Sequence, residues 1–396
     1  MRFSPQLVLT ALALAVGAAF APPAAAEDLL EIYELARASD PQLSFVDANR
    51  RAIAEGVAQS RALLLPNITG TANLGDSDND STGLDATIQP DGSVEFGQFQ
   101  GAQDARTRTY RVSLLQSIYN HSNYTRLRSA RATRSRAEAD YEAALDNLFT
   151  RVALAYFTAL NNTSNVEALR AEETAVGRQL EQADQRFEVG LTAITDVHEA
   201  RARFDSARAN RILAETQLND SHEALRELTG KQIETLEALR EDIPLAAPEP
   251  ADPEAWVTVA LDENAVLESR RHAVRATEHD IGTAKAGHLP YLSGSVTFTD
   301  NAQWGESFNE GGASRVTFPV DTSFDDTSFG LLLTVPIFEG FAVQSRVRQA
   351  VALRDVNAEL LEQDQRAVER TTRNNYRAVV AGVSEVEARR QALVSA

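Results

Sequence analysis

Residues 185–197 read Gln-Arg-Phe-Glu-Val-Gly-Leu-Thr-Ala-Ile-Thr-Asp-Val, and the patterns on either side of this run decide the fold. Upstream, from His121 to Val189, there is no proline and a single glycine, Gly177. Apolar residues recur at Tyr141, Leu145, Leu148, Val152, Tyr156 and Ala159, then at Val166, Leu169, Val176, Leu180, Ala183 and Phe187. Steps that alternate between three and four residues form the seam of a coiled coil. About 69 residues rising about 1.5 Å each give a rod of roughly 100 Å, longer than any compact soluble domain needs. Gly190 suits the left-handed end of that helix, and Thr192 or Thr195 is placed to cap the next one. The returning pattern is Val197, Ala200, Phe204, Ala207, Ala214, Leu218, Leu225 and Leu228, interrupted by Arg211 and Ser221 and ending at Thr229-Gly230. The run is the tip of a long antiparallel helical hairpin.

Further upstream, a helical region from about Asp28 to Leu64 stops at Pro66. Alternation begins there, with Ile68, Gly70, Ala72 and Leu74 on one face and Thr69, Thr71 and Asn73 on the other. A second alternating segment sets Tyr110, Val112, Leu114, Gln116 and Ile118 against Arg111, Ser113, Leu115 and Ser117. Period-two patterning over about 9–11 residues is the signature of an outer-membrane barrel strand, and also of an ordinary half-exposed hairpin. Residues 76–107, with seven acids and one base (Arg106), and residues 299–327, with six acids and one base (Arg315), are expected to be long polar loops. Asp76-Ser77-Asp78-Asn79-Asp80 resembles the start of a calcium loop, but Ser81 and Thr87 stand where a glycine and a glutamate are required. A solvated loop is expected.

The chain repeats itself. Adding 224 to Asp40-Pro41-Gln42-Leu43 and Leu65-Pro66-Asn67-Ile68 gives Asn264-Ala265-Val266-Leu267 and Leu289-Pro290-Tyr291-Leu292. The second-copy strands are Leu292-Gly294-Val296-Phe298 and Phe329-Leu331-Leu333-Val335-Ile337. Ser117-Ile118-Tyr119-Asn120 answers Pro336-Ile337-Phe338-Glu339 at offset 219, and Tyr156 answers Tyr376 at offset 220. A unit this long is an internal duplication rather than a solenoid repeat. The organisation expected is a signal peptide over 1–26, a first repeat over 27–230, a linker over 231–253 marked by Pro244, Pro248, Pro250 and Pro253, and an incomplete second repeat over 254–396.

The signal peptide rests on Arg2, the apolar run Leu7 to Phe20 and Ala24-Ala25-Ala26 as a cleavage site. No later apolar run reaches spanning length, so a membrane crossing requires a β-barrel. The net charge of −19 argues against nucleic-acid binding. With no cysteine, disulfides, thiolate nucleophiles and cysteine-ligated zinc are excluded. The six histidines show no metal-motif spacing. Glu199 beside His198, Asp325-Asp326 and Glu172-Glu173 lack partners suited to catalysis, so no enzyme, metal site or cofactor is expected.

The sequence resembles the TolC-like outer membrane efflux protein family, the outer membrane factors. The resemblance is carried by Ile32-Tyr33-Glu34-Leu35-Ala36 with Asp40-Pro41, Leu64-Leu65-Pro66, Gln116-Ser117-Ile118-Tyr119, Ala155-Tyr156-Phe157 and Arg178-Gln179-Leu180. It continues through the run at 185–197, then Gly287-His288-Leu289-Pro290 and Val335-Pro336-Ile337-Phe338-Glu339-Gly340. It implies an α+β membrane protein, a homotrimer in which each chain gives four strands to one shared twelve-stranded barrel. That barrel is continued by a periplasmic α-helical coiled-coil barrel. It implies an exit duct in the outer membrane, extending into the periplasm, for multidrug efflux or type I secretion. Its partners would be a periplasmic adaptor (membrane fusion) protein and an inner-membrane pump or ABC exporter, with outer-membrane lipid around the barrel. By the same resemblance Val189, Gly190, Leu191, Ile194 and Thr195 form the adaptor-docking tip, and Gln179 and Asp196 help close the periplasmic entrance. Pro66, Pro290 and Pro336 mark helix–strand junctions.

The sequence departs from the family at one point. A second hairpin tip is expected near position 407, while the sequence given stops at Ala396, so a C-terminal truncation is expected. A reading of a different class, a surface anchor or adhesion structure without an export role, uses the same strands and coiled coils.

Overall fold

A computed structural model describes residues 26–233, 235–240, 244–311 and 314–395. Apart from Ala26, the expected signal peptide lies outside the described residues. The elements are α1 (Leu29–Ser39), α2 (Pro41–Ala62), β1 (Asn67–Ile88), β2 (Val94–Tyr119), α3 (His121–Glu188), α4 (Ile194–Thr229), α5 (Pro253–Glu263), α6 (Ala265–Lys285), β3 (Tyr291–Gly311), β4 (Ser314–Thr334) and α7 (Ala342–Ser395). The order helix, strand, strand, long helix occurs twice. The chain divides into two compact units, one of residues up to Ala52 with Ala137–Ser269 and Gln363–Ala396, the other of Ile53–Arg136 and Arg270–Glu362.

In the first unit the predicted seam is the core. Ile32, Leu148, Val152, Ala159 and Leu225 are fully buried, and the Tyr156 hydroxyl donates to the Glu237 carbonyl at 2.7 Å. The helical region expected over 28–64 is two helices, broken at Asp40. That residue's carboxylate accepts from the Leu43 N–H at 2.9 Å while Pro41 opens α2, as proline tolerates at a first helical position. The second copy breaks at the matching residue, where the Asn264 side chain accepts from the Leu267 N–H at 3.1 Å. Both capped leucines, Leu43 and Leu267, are buried. Within the expected linker, Glu27 bridges to Leu236 in parallel fashion, and the Trp256 indole donates to the Pro250 carbonyl at 2.9 Å.

In the second unit the four strands form one antiparallel sheet in the order β1-β2-β3-β4. The two long loops expected at 76–107 and 299–327 are instead the distal halves of two β-hairpins. Asp76 pairs with Arg106 and Thr82 with Gln100, and Asp300 pairs with Asp325. Backbone N–H and C=O groups complete their ladder whatever the side chains are, so a stretch rich in Gly, Ser, Thr and Asp with water on both faces still pairs. The calcium-like run 76–80 lies within β1, where successive side chains point to opposite faces and do not wrap an ion. No helix among the described residues is long and apolar enough to cross a membrane.

Candidate functional site

Register decides what the sheet presents. Ile68 pairs with Leu114, Gly70 with Val112 and Ala72 with Tyr110. Val112 in turn pairs with Phe298 and Leu114 with Val296. Val296 pairs with Phe329 and Leu292 with Leu333. The apolar sets of all four strands therefore share one face. The other face carries Thr69, Thr71, Arg111, Ser113, Thr297 and Ser295 in the same rows. The apolar face ends at a charged row: Arg106 approaches Asp76 at 3.7 Å, and Arg108 approaches Asp300 at 3.3 Å and lies over the Tyr110 ring. From Ile68 to Leu74, seven residues at about 3.4 Å give a band of roughly 24 Å along the strand, the scale of an outer-membrane apolar belt. Pro66 and Pro290 each stand one residue before a strand, and Pro336 two residues after one.

At the hairpin tip α3 closes with the Gly190 N–H on the Phe187 carbonyl at 2.9 Å and the Leu191 N–H on the Arg186 carbonyl at 2.8 Å. Gly190 sits at φ 76, in the left-handed region as expected. The cap of α4 is a correction: Ala193 occupies the N-cap position with no side-chain bond, and neither Thr192 nor Thr195 caps. Thr192 donates instead to the Asp196 carboxylate, which holds the turn from the side. Val189, Leu191 and Ile194 are exposed, Leu191 to 76%. Gln179 lies in α3 nine residues before its end, and among the described residues no hydrogen bond joins it to Asp196.

Two features of the hairpin escape sequence reading. At Gly177 the Phe204 ring of α4 packs directly on α3: a Cβ there would stand 3.3 Å from that ring. Arg211, which interrupts the apolar pattern, donates to Glu173 and, at 2.6 Å, to Glu215, while Arg170 holds Glu215 at 2.8 Å. The Arg170 and Arg211 hydrogen bonds hold the Glu215 carboxyl below its ordinary range. Nearer the core, Asp40 is 3% exposed and its carboxylate takes the Arg151 guanidinium at 2.7 and 3.3 Å. Burial pushes that carboxyl up, but the bonds from Arg151 and from backbone N–H groups outweigh it and hold it below 3.8.

A periodic four-stranded sheet with one apolar face, joined directly to a 68-residue helix with a glycine-closed tip, is a specific combination, and the family model of the outer membrane efflux proteins matches residues 32–231 and 256–396. The chain belongs to that family. Outer membrane protein TolC of Vibrio cholerae is 34% identical over 371 residues, covering 94% of this chain and 78% of its own. The alkaline protease secretion protein AprF of Pseudomonas aeruginosa is 29% identical over 324 residues, covering 81% and 63%. The solved structure of CusC superposes with a TM-score of 0.70 at 14% identity over 93% of this chain and 79% of that one, which shows the shared fold. An outer membrane efflux protein sits in the outer membrane through its strands and extends into the periplasm through its helices. The sheet's apolar face is accordingly its lipid face, and the hairpin ends opposite the helices are extracellular.

Proposed function

We propose that this efflux-family chain works as a homotrimer whose sheets close one barrel, forming an exit duct for efflux or type I secretion. The observation that carries the reading is the open four-stranded sheet with a lipid face. Among the described residues its outer strands β1 and β4 each leave one edge without a partner, unpaired edges do not stand in lipid, and the smallest outer-membrane barrels have about eight strands. Three sheets of four strands satisfy both constraints in the way the family resemblance implies. In this reading the repeats run over 27–230 and 254–396, joined by 231–253. The prolines at 66, 290 and 336 turn each helix into or out of its strand. The exposed Val189, Leu191 and Ile194, presented by Gly190 and flanked by Thr195, dock a periplasmic adaptor that couples the duct to an inner-membrane pump or ABC exporter. Asp196, held by Thr192, and Gln179 take part in closing the entrance. The names of the relatives and the family support a duct over a surface anchor.

The test uses the absence of cysteine. Single cysteines scanned along β1 and β4, paired one on each strand, should give covalent trimers after oxidation in membranes. A ladder that stops at dimers, or none at all, overturns the assembly. In single-channel recordings Asp196→Ala should raise closed-state conductance, and an unchanged value removes Asp196 from the gate.

A further inference from the structure

The charge of this protein is sorted along the strand direction. The net charge is −19, and the distal halves of the hairpins are strongly acidic. At the opposite, helix-proximal end of the sheet the sign reverses. Residues 57–66, 120–131, 281–290 and 335–348 flank the four strand ends, and together they hold seven Lys or Arg against one acid, Glu339. Arg126, Arg128 and Arg131 in the opening turns of α3 are exposed, as are Arg61, Lys285 and Arg348. None of these six has an ion pair among the described residues, whereas Arg346 pairs with Glu339 at 3.2 Å.

The orientation of α3 follows from its neighbours. Asn123 donates to the Leu63 carbonyl at 3.0 Å on one side, and Thr125 takes the Thr283 hydroxyl at 2.7 Å on the other. Of the two faces that remain, one carries Ser122, Ser129 and Thr133 with Arg126 between them, matching in its hydroxyls the hydroxyl-rich face of the sheet. The other carries Tyr124, Arg128 and Arg131, spaced i, i+4, i+7 on a single stripe. Tyr124 is 43% exposed just past the strand end, where an aromatic ring with a polar tip suits a membrane interface. Arg128 and Arg131 follow at about 12 and 16 Å beyond Asn120 at a rise of about 1.5 Å per residue. The headgroup layer is roughly 5–8 Å thick on each side of the hydrocarbon, and arginine side chains reach back toward it on their apolar stems.

We propose that this collar binds the phosphates of anionic phospholipids in the periplasmic leaflet, with Tyr124 at the interface and Arg128 and Arg131 as the principal contacts. The inference rests on the outer-membrane placement of the sheet. Basic residues beside an anionic leaflet each contribute about fivefold in affinity, so two give up to ~25-fold.

The experiment titrates the full chain, purified in detergent, with phosphatidylglycerol and with phosphatidylcholine, and counts retained lipid by native mass spectrometry at low and high salt. The wild type should retain phosphatidylglycerol at least tenfold better, with the preference fading as salt rises. Arg128→Gln and Arg131→Gln combined should bring the two lipids within about threefold, while the matching double Lys variant keeps the preference and Arg126→Gln, on the other face of the helix, leaves it untouched. Equal retention by the wild type, or a preference that survives the double Gln change, overturns the proposal. So does a double Gln variant with intact lipid preference and altered ion selectivity, because it would place the two arginines in the duct. Heat-modifiable migration on gels reports the barrel separately, so loss of lipid preference with the barrel intact leaves the outer-membrane reading standing.

Discussion

Replacing Arg151 with methionine isolates the ion pair at the core of the helical unit. Asp40 is 3% exposed, and its carboxylate takes two bonds from Arg151 and the others from backbone N–H groups, Leu43 foremost. Methionine preserves the stem and helix propensity but leaves a buried carboxylate with backbone donors alone. Breaking a buried pair from one side costs about 3–5 kcal/mol. Arg151 is 30% exposed, so water reaches part of the vacated space and about 3 kcal/mol is expected. Asp40→Asn should cost only about 1 kcal/mol, since asparagine caps nearly as well and the stranded guanidinium reaches solvent. The matching position of the second copy, Asn264, already uses that solution. The double variant should recover about 2 kcal/mol relative to the sum. Urea titration followed by far-ultraviolet circular dichroism measures all four proteins. Acid adds a sign test. The Asp40 carboxyl is lowered below 3.8 in the folded state, so its contribution is fully present above that value and is lost as pH falls through the folded pKa. In Asp40→Asn that loss should be absent. Additive single effects, or an Arg151→Met cost no larger than that of Asp40→Asn, would refute the reasoning.

Three further outcomes follow from the geometry. Val112→Arg, on the lipid face between Gly70 and Phe298, should cost about 2–4 kcal/mol and lower the temperature of barrel heat-modification, whereas Ser113→Arg on the opposite face should not; equal shifts would reverse the face assignment. Gly177→Leu should force Phe204 out of the seam at about 1–3 kcal/mol and raise amide exchange in α3 and α4 around that level, while exchange in α1 stays at the wild-type rate. Leu191→Asp, at a 76% exposed tip position, should leave helicity unchanged and abolish adaptor co-purification, and Gly190→Val should weaken it by straining a φ of 76 at about 1–2 kcal/mol.

The parts legible in the sequence are those where burial imposes a period. The seam through Leu148, Val152 and Tyr156 is buried because it packs against α1 and α4, and its spacing records that packing. The proximal strands alternate because lipid lies on one face and a polar face on the other. Past Asp76 and Asp300 both faces meet water, the alternation vanishes, and the strands read as loops although their backbones pair without interruption. Gly190 marks the tip in the sequence but not the cap beyond it: capping propensity favours Thr192 or Thr195, and the Thr192 hydroxyl is engaged by Asp196 instead. Arg211 reads as a fault in the heptads because one chain position does not reveal that Glu173 sits opposite it. The arginines of early α3 are plain in the sequence, but only the register of the sheet places them together at one end of it.

The length of the hairpins changes what the cell displays to its surroundings. From Asp76 to Ile88, β1 continues for 13 residues beyond the apolar band, about 44 Å along the strand. A tight turn alone would offer an antibody or a phage a few residues level with the lipid heads. A paired ribbon of this length offers a firm, acidic, hydroxyl-rich epitope well clear of them, with main chain held by its neighbour. Sequence drift in the ribbon's side chains would alter recognition while the backbone that supports the channel mouth stays the same, so the outward surface and the wall that conducts can vary independently.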